Sequence, residues 1–283
     1  DANGGDYIFT ALRAVDAGRA VPVLAVIEGG PDGKIVASAA PALVGRSRTE
    51  AEKLLAASPE ERQRMLSSEP ASGEQRSEQA KAYFEQGQQY LRQGQQANAL
   101  NAFDGAIAAA PEFAPAYLLR GIALLNLQRP EEAVATFDRS IAIAEEKEGA
   151  QSEWLAGPLY YKGTALMAIG QMDRAEAAFD RSLALKPTPP GYAARANLFF
   201  AEGRAVSRQG DEDRARALFE RSRKDADAGL ALQTDNVALW SIKSGAHFGL
   251  GDGEKGCRAA RKACEFGNCT IMEKYPQCEE DLR

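Results

Sequence analysis

A period running through the middle of the chain limits its fold more than any other feature. Gly87, Gly121, Gly163 and Gly203 are each followed twelve residues later by Ala99, Ala133, Ala175 and Ala215. Four residues further stand Phe103, Phe137, Phe179 and Phe219, and three beyond each Phe a small residue, Ala106, Ser140, Ser182 or Ser222. Pro111 and Pro187 close the first and third copies at a common distance. Such fixed offsets mean one supersecondary unit repeated, each copy burying a face that it cannot bury alone. Turn signals at Gln93-Gly94, Gly170-Gln171 and Gln209-Gly210-Asp211 split the copies into two helices each. Glycine inside a helix costs roughly 1 kcal/mol relative to alanine. Four at matched positions therefore predict a second helix approaching too closely for a side chain. The Ala allows the same approach from the second helix, and the Phe fills the space between the pairs.

This order of Gly, aromatic, Ala, Phe and Pro resembles the tetratricopeptide repeat, a helix–turn–helix unit of ~34 residues, in a bacterial type of protein. The resemblance implies an all-α chain, an α-solenoid of four clear helix pairs. The family's Trp near the start of each unit is replaced by Tyr83, Tyr117, Leu159 and Phe199. Successive glycines stand 34, 42 and 40 residues apart, the extra length falling around Glu145–Trp154 and at Pro189-Pro190-Gly191. A degenerate fifth unit starts near Asn236, with Gly245 in register, Cys257 and Cys264 at the small positions, and Arg261 in place of the Phe. Terminal repeats of solenoids are commonly atypical, because one face meets water.

The array is expected over residues 80–267, followed by a C-terminal cap over 268–283. Residues 1–79 lack the repeat. There Asp6 to Ala17 is expected as a helix, with Tyr7, Ile8, Leu12 and Val15 on one side. Val21–Glu28 and Lys34–Ser38 flank Gly29-Gly30-Pro31-Asp32-Gly33 as a candidate β-hairpin. Ser58-Pro59-Glu60-Glu61 has the features of a helix start, and the polar stretch Ser67–Glu78 those of a joint.

The residue inventory points to binding and away from catalysis. The formal charge of −6 argues against sequence-independent nucleic-acid binding, which needs a basic footprint. The longest apolar run, Val21 to Ile27, is far short of a membrane span of ~20 residues. The single histidine, His247, lies beside Phe248 in the degenerate unit, and a structural role there outweighs a catalytic one. The glycine-rich Gly249–Gly256 lacks the Gly-Lys-Ser/Thr ending of a phosphate loop. No catalytic residue, cofactor or metal site is expected.

In the family, the concave face is lined by the first helix of each pair and receives a peptide or a helix. Projection onto that face selects Phe84, Gln88 and Leu91, then Leu118, Ile122 and Leu125. Next come Tyr160, Thr164 and Met167, and last Phe200, Arg204, Ser207 and Arg208. The groove is apolar and aromatic with a basic end at Arg204 and Arg208. The competing reading packs some of these side chains between helices, and leaves the arginines on Glu202 or Asp211. The expected partner is a protein or peptide segment, with the chain acting as a scaffold or adaptor in envelope assembly or secretion. The alternatives are a small-molecule or lipid ligand in the same groove, and self-assembly into a homo-oligomer.

All four cysteines fall after residue 256. Cys257 and Cys264 share a helix face but stand roughly 10.5 Å apart at 1.5 Å per residue, too far to bridge. A hairpin folded back at Gly267-Asn268 favours nested bridges, Cys264–Cys269 and Cys257–Cys278. The crossed pairing, reduced thiols and a cysteine-only zinc site are the alternatives. Disulfides call for an oxidising compartment, so an exported, periplasmic or envelope-associated protein is expected, its leader gone before Asp1. A cytoplasmic site is the alternative.

Overall fold

The computed structural model describes residues 7–16, 19–28, 34–38, 48–57, 61, 73–275 and 278. The chain divides into two compact units, Asp1–Gly73 and Glu74–Arg283.

In the first unit, strands β1 (Tyr7–Asp16), β2 (Arg19–Glu28) and β3 (Lys34–Ser38) form one antiparallel sheet in the order β1-β2-β3. The expected helix over Asp6–Ala17 is therefore corrected to a strand. Its Tyr, Ile, Phe and Thr favour strands, and β1 pairs with β2 along its whole length, from Tyr7 opposite Glu28 to Asp16 opposite Arg19. Pairing along a whole strand outweighs a four-residue helical stripe. Pro22 is tolerated in β2 because β3 pairs only with Ala25–Glu28, so at Pro22 the strand is an edge. Helix α1 (Arg48–Ala56) packs on β1 and buries Ala51, Leu54 and Leu55. The hairpin turn at 29–33 and, apart from Glu61, the helix start at 58–61 lie outside the described residues.

The second unit is an α-solenoid. Its pairs are α2 (Gly73–Arg92) with α3 (Gln96–Ala109), α4 (Ala114–Asn126) with α5 (Pro130–Glu148), and α6 (Ala156–Ala168) with α7 (Met172–Leu185). Next come α8 (Pro189–Arg208) with α9 (Glu212–Leu232), and α10 (Val237–Gly249) with α11 (Gly253–Glu265). Short helix α12 (Thr270–Lys274) follows. Helix α2 takes in residues 73–78 of the expected joint; Glu74 to Glu78 are polar because they face water on its first turns. The extra length between repeats lengthens α5 and adds a 3₁₀ turn at Glu153–Leu155, capped by Ser152. In the fourth pair it extends the start of α8, which runs alongside α9.

The repeat residues meet each other. A Cβ placed on Gly87, Gly163 or Gly203 would come within 2.5, 2.6 or 2.9 Å of the Phe103, Phe179 or Phe219 ring, and Gly121 stands in the same relation to Phe137. Phe103, Phe137 and Phe179 are fully buried, Phe219 nearly so. Each glycine is thus the seat of its own unit's Phe. The small residue after the Phe adds a second tie: Ser140, Ser182 and Ser222 donate to the carbonyls of Ala114, Ala156 and Ala196 at 2.9, 2.7 and 2.8 Å. The turns are alike as well. Gly94, Gln128, Gly170, Gly210 and Gly251 all have positive φ, and the next N–H closes a 6→1 bond such as Gln95 to the Tyr90 carbonyl at 2.9 Å.

Those turns reset the register of the fifth pair. In units one to four the positive-φ residue lies seven after the repeat glycine; counting back from Gly251 gives Ser244, not Gly245. The repeat positions are then Ser244, Gly256, Ala260 and Ala263, all buried. The Phe position is therefore held by Ala260, and Arg261 does not replace it. Gly245 instead faces the preceding pair, where its Cβ would meet the Phe200 ring at 2.7 Å. Cys257 joins Cys278 with Cα atoms 4.9 Å apart, and Cys264 joins Cys269 at 4.1 Å. Cys257, Cys278, Ala260 and Met272 form a small core with Phe248 and Tyr275, whose rings stack at 4.1 Å. The cap thus supplies bulk where the fifth unit has no Phe.

Candidate functional site

First helices of neighbouring units lie side by side, α4 with α6, α6 with α8 and α8 with α10. The expected groove side chains of α4, α6 and α8 therefore lie on adjoining helices. Phe84, Gln88, Leu118, Ile122, Tyr160, Thr164 and Phe200 are all half-buried, while Arg204 and Arg208 are exposed. Leu118, Ile122, Leu125, Tyr160, Met167 and Phe200 pack one flank on the main core. Neither extreme reading describes them: each is seated on the core and leaves its other flank uncovered.

The seating repeats. Phe84, Tyr160 and Phe200 stand three residues before a repeat glycine, and their rings lie 5.9, 6.2 and 5.9 Å from Phe103, Phe179 and Phe219. Unit two has Leu118 there, and Phe137 stacks on Tyr161 instead, at 6.1 Å. Burial first, then Tyr161, pushes the Tyr160 hydroxyl above its ordinary range, with Thr164 pulling the other way. Phe200 is the most committed of the three, since it also fills the space at Gly245.

The basic end differs from a surface ion pair. Arg204 lies 5.8 Å from the Phe200 ring centre, and neither Arg204 nor Arg208 has an ion-pair partner among the described residues. The Glu202 carboxyl is raised by burial first, then by Glu176 and Asp173. Second-to-first-helix ion pairs run beside the core: Asp104–Arg120 at 2.6 Å, Asp138–Lys162 at 2.5 Å, and Arg195 held by Asp180 and by both oxygens of the buried Asp225.

At the other end, the Phe84 ring lies tilted against Phe113, with centres 4.9 Å apart. Phe113, Ala80, Lys81, Pro111 and Lys147 line a cavity of about 500 Å³. Sequence projection missed this opening because Phe113 belongs to the turn between units and Lys147 to the lengthened α5. His247 is buried with its Nδ1 lacking a hydrogen-bond partner, and burial lowers its proton affinity.

With this geometry in hand, residues 112–188 match the model of the tetratricopeptide repeat. No curated protein matches the sequence. Among solved structures, the MamA RS-1 ArsTM double mutant is 19% identical with a TM-score of 0.50, over 66% of this chain and 94% of that one. MamA 41-end from Desulfovibrio magneticus RS-1 is 20% identical with a TM-score of 0.49, over the same shares. The second TPR domain of human RPAP3, in complex with the HSP70 peptide SGPTIEEVD, is 20% identical with a TM-score of 0.39, over 45% of this chain and 98% of that one. The first of these likenesses speaks for the fold alone. The matched stretch, residues 112–188, carries the tetratricopeptide repeat, and the same Gly–Phe seating recurs in four helix pairs.

Proposed function

We propose that the chain is a non-catalytic interaction scaffold that holds an extended or helical segment of another protein along its first-helix face. The observation that carries this reading is the stripe from Phe84 to Phe200, half-buried in each of the first four units and uncovered on one flank. Core packing alone would bury these side chains, and a purely solvated face would not be apolar. The unpaired Arg204 and Arg208 favour a segment with carboxylates at that end. The two disulfides are compatible with an oxidising, exported setting, and envelope assembly or secretion is the role we propose there. No described helix is long and apolar enough to cross a membrane.

Thr164 is the place to test it, because it is half-exposed in the middle of the stripe and its removal opens no cavity. A partner captured by the intact chain from its native source should be lost with Thr164→Arg and kept with Arg139→Glu, at an exposed position of helix α5. Arg204→Glu should weaken capture more at low salt than at high salt, because exposed charges are screened. Equal capture by all three variants would move the site off this face.

A further inference from the structure

We propose that the cleft between α10 and α11 is a second binding surface, built for an acidic segment of a partner protein. The cleft, about 550 Å³, is lined by Lys243, Lys255, Arg258, Arg261 and Lys262 against one carboxylate, Glu265. Five cations around one acid stand out in a chain of net charge −6.

The corrected register explains why Arg261 matters. It directly follows Ala260, so it occupies the place held by Asp104, Asp138, Asp180 and Glu220 after the Phe of each earlier unit. Three of those acids receive a cation from the next first helix: Arg120, Lys162 and Arg195. At the end of the array the sign is reversed, and Arg261 has no ion-pair partner among the described residues. An incoming carboxylate completes the pattern with inverted charge.

The other cations are paired, but loosely. Lys243 meets Asp227 at 2.7 Å, Lys255 meets Asp252 at 2.6 Å, Lys262 meets Glu265 at 2.6 Å, and Arg258 meets Glu254. Surface pairs of this kind are weak and exchange readily for a ligand's carboxylates. Lys255, Arg258 and Lys262 are spread along roughly 10 Å of α11. That spacing suits carboxylates along an extended chain, which rises about 3.3 Å per residue, better than one compact anion. The floor supplies the Trp240 ring, with Lys243 5.0 Å from its centre, and the buried His247, whose Nδ1 is the one buried side-chain polar atom without a partner among the described residues. The cleft is distinct from the first-helix face, since Lys243 turns toward α9 through Asp227 while Gly245 seats Phe200.

The test uses the full chain carrying Trp154→Phe, so that Trp240 is its only tryptophan, and a labelled eight-residue peptide alternating Glu and Gly. Anisotropy should show binding with a change in Trp240 emission, and the Gln counterpart should not bind. Arg261→Asp with Lys262→Asp should weaken the acidic peptide at least about tenfold, several surface pairs' worth, with circular dichroism unchanged. Arg139→Glu, on an exposed position outside both surfaces, should leave it unchanged. No binding of the acidic peptide, equal binding of the Gln peptide, or indifference to the Arg261 variant would overturn the proposal. Inorganic phosphate binding as tightly as the peptide would also overturn it, in favour of a simple oxyanion pocket.

Discussion

The first four units and the fifth solve one packing problem in two ways. In the first four, a glycine on the first helix receives a buried Phe from the second, so each unit carries its own filler. In the fifth, Ser244 and Ala260 stand at those positions, and the Ser244 hydroxyl donates to the Gly256 carbonyl at 2.8 Å. The helices close up, and the bulk comes from Phe248, Tyr275 and the Cys257–Cys278 bridge. Units one to four rely on a side chain of their own. The fifth, the last of the described pairs, uses a covalently held tail, which also leaves its second helix free to carry unpaired positive charge.

The contrast can be broken at its centre. Phe137→Ala should cost roughly 3 to 5 kcal/mol, the usual range for a buried Phe, while Arg261→Ala should change stability by less than about 0.5 kcal/mol. Chemical denaturation of both variants checks this; comparable losses would restore Arg261 as the Phe equivalent. Next in size is the staple. Replacing Cys257 and Cys278 by Ala opens a loop of 21 residues' separation and should cost about 3 kcal/mol on chain-entropy grounds. Hydrogen exchange should rise first in α11 and α12, leaving α4 to α7 protected. Uniform exchange would mean that the cap stabilises the whole array.

The turns give a smaller handle. Gln128 is the non-glycine residue with positive φ among the described turns, at 58°. Gln128→Gly should stabilise by up to about 1 kcal/mol, the left-handed cost less the added freedom of the unfolded chain. A shift in denaturation midpoint in the opposite direction would show that the Gln side chain contributes something else. Acidification probes the fifth unit alone. Burial holds the His247 proton affinity below its ordinary value of 6.5, so as pH falls below that value the unfolded chain binds a proton that the folded chain does not. Stability should therefore fall on acidification until the folded imidazole also titrates. His247→Gln should flatten that part of the profile, and an unchanged profile would place the dependence on carboxylates elsewhere.

Much of the fold was legible in the sequence because the repeat is enforced locally. A Gly–Ala–Phe offset within one helix pair states its own packing, and positions such as Tyr160 and Phe200 follow from the same geometry. The nested symmetry of the cysteines about Gly267 is likewise a matter of chain distance. Three features needed the tertiary structure. The strand at Tyr7–Asp16 depends on a partner strand, since an apolar stripe of four residues suits either helix or strand. The one-residue register of the fifth unit depends on the turn at Gly251, because Gly245 offers a glycine at the expected place but seats a Phe from the preceding pair. The basic cleft depends on both, for only with Ala260 as the buried position does Arg261 become the charge-reversed end of a ladder. Local periodicity determines which faces are apolar; which side chain fills which space is decided only when neighbouring elements compete for it.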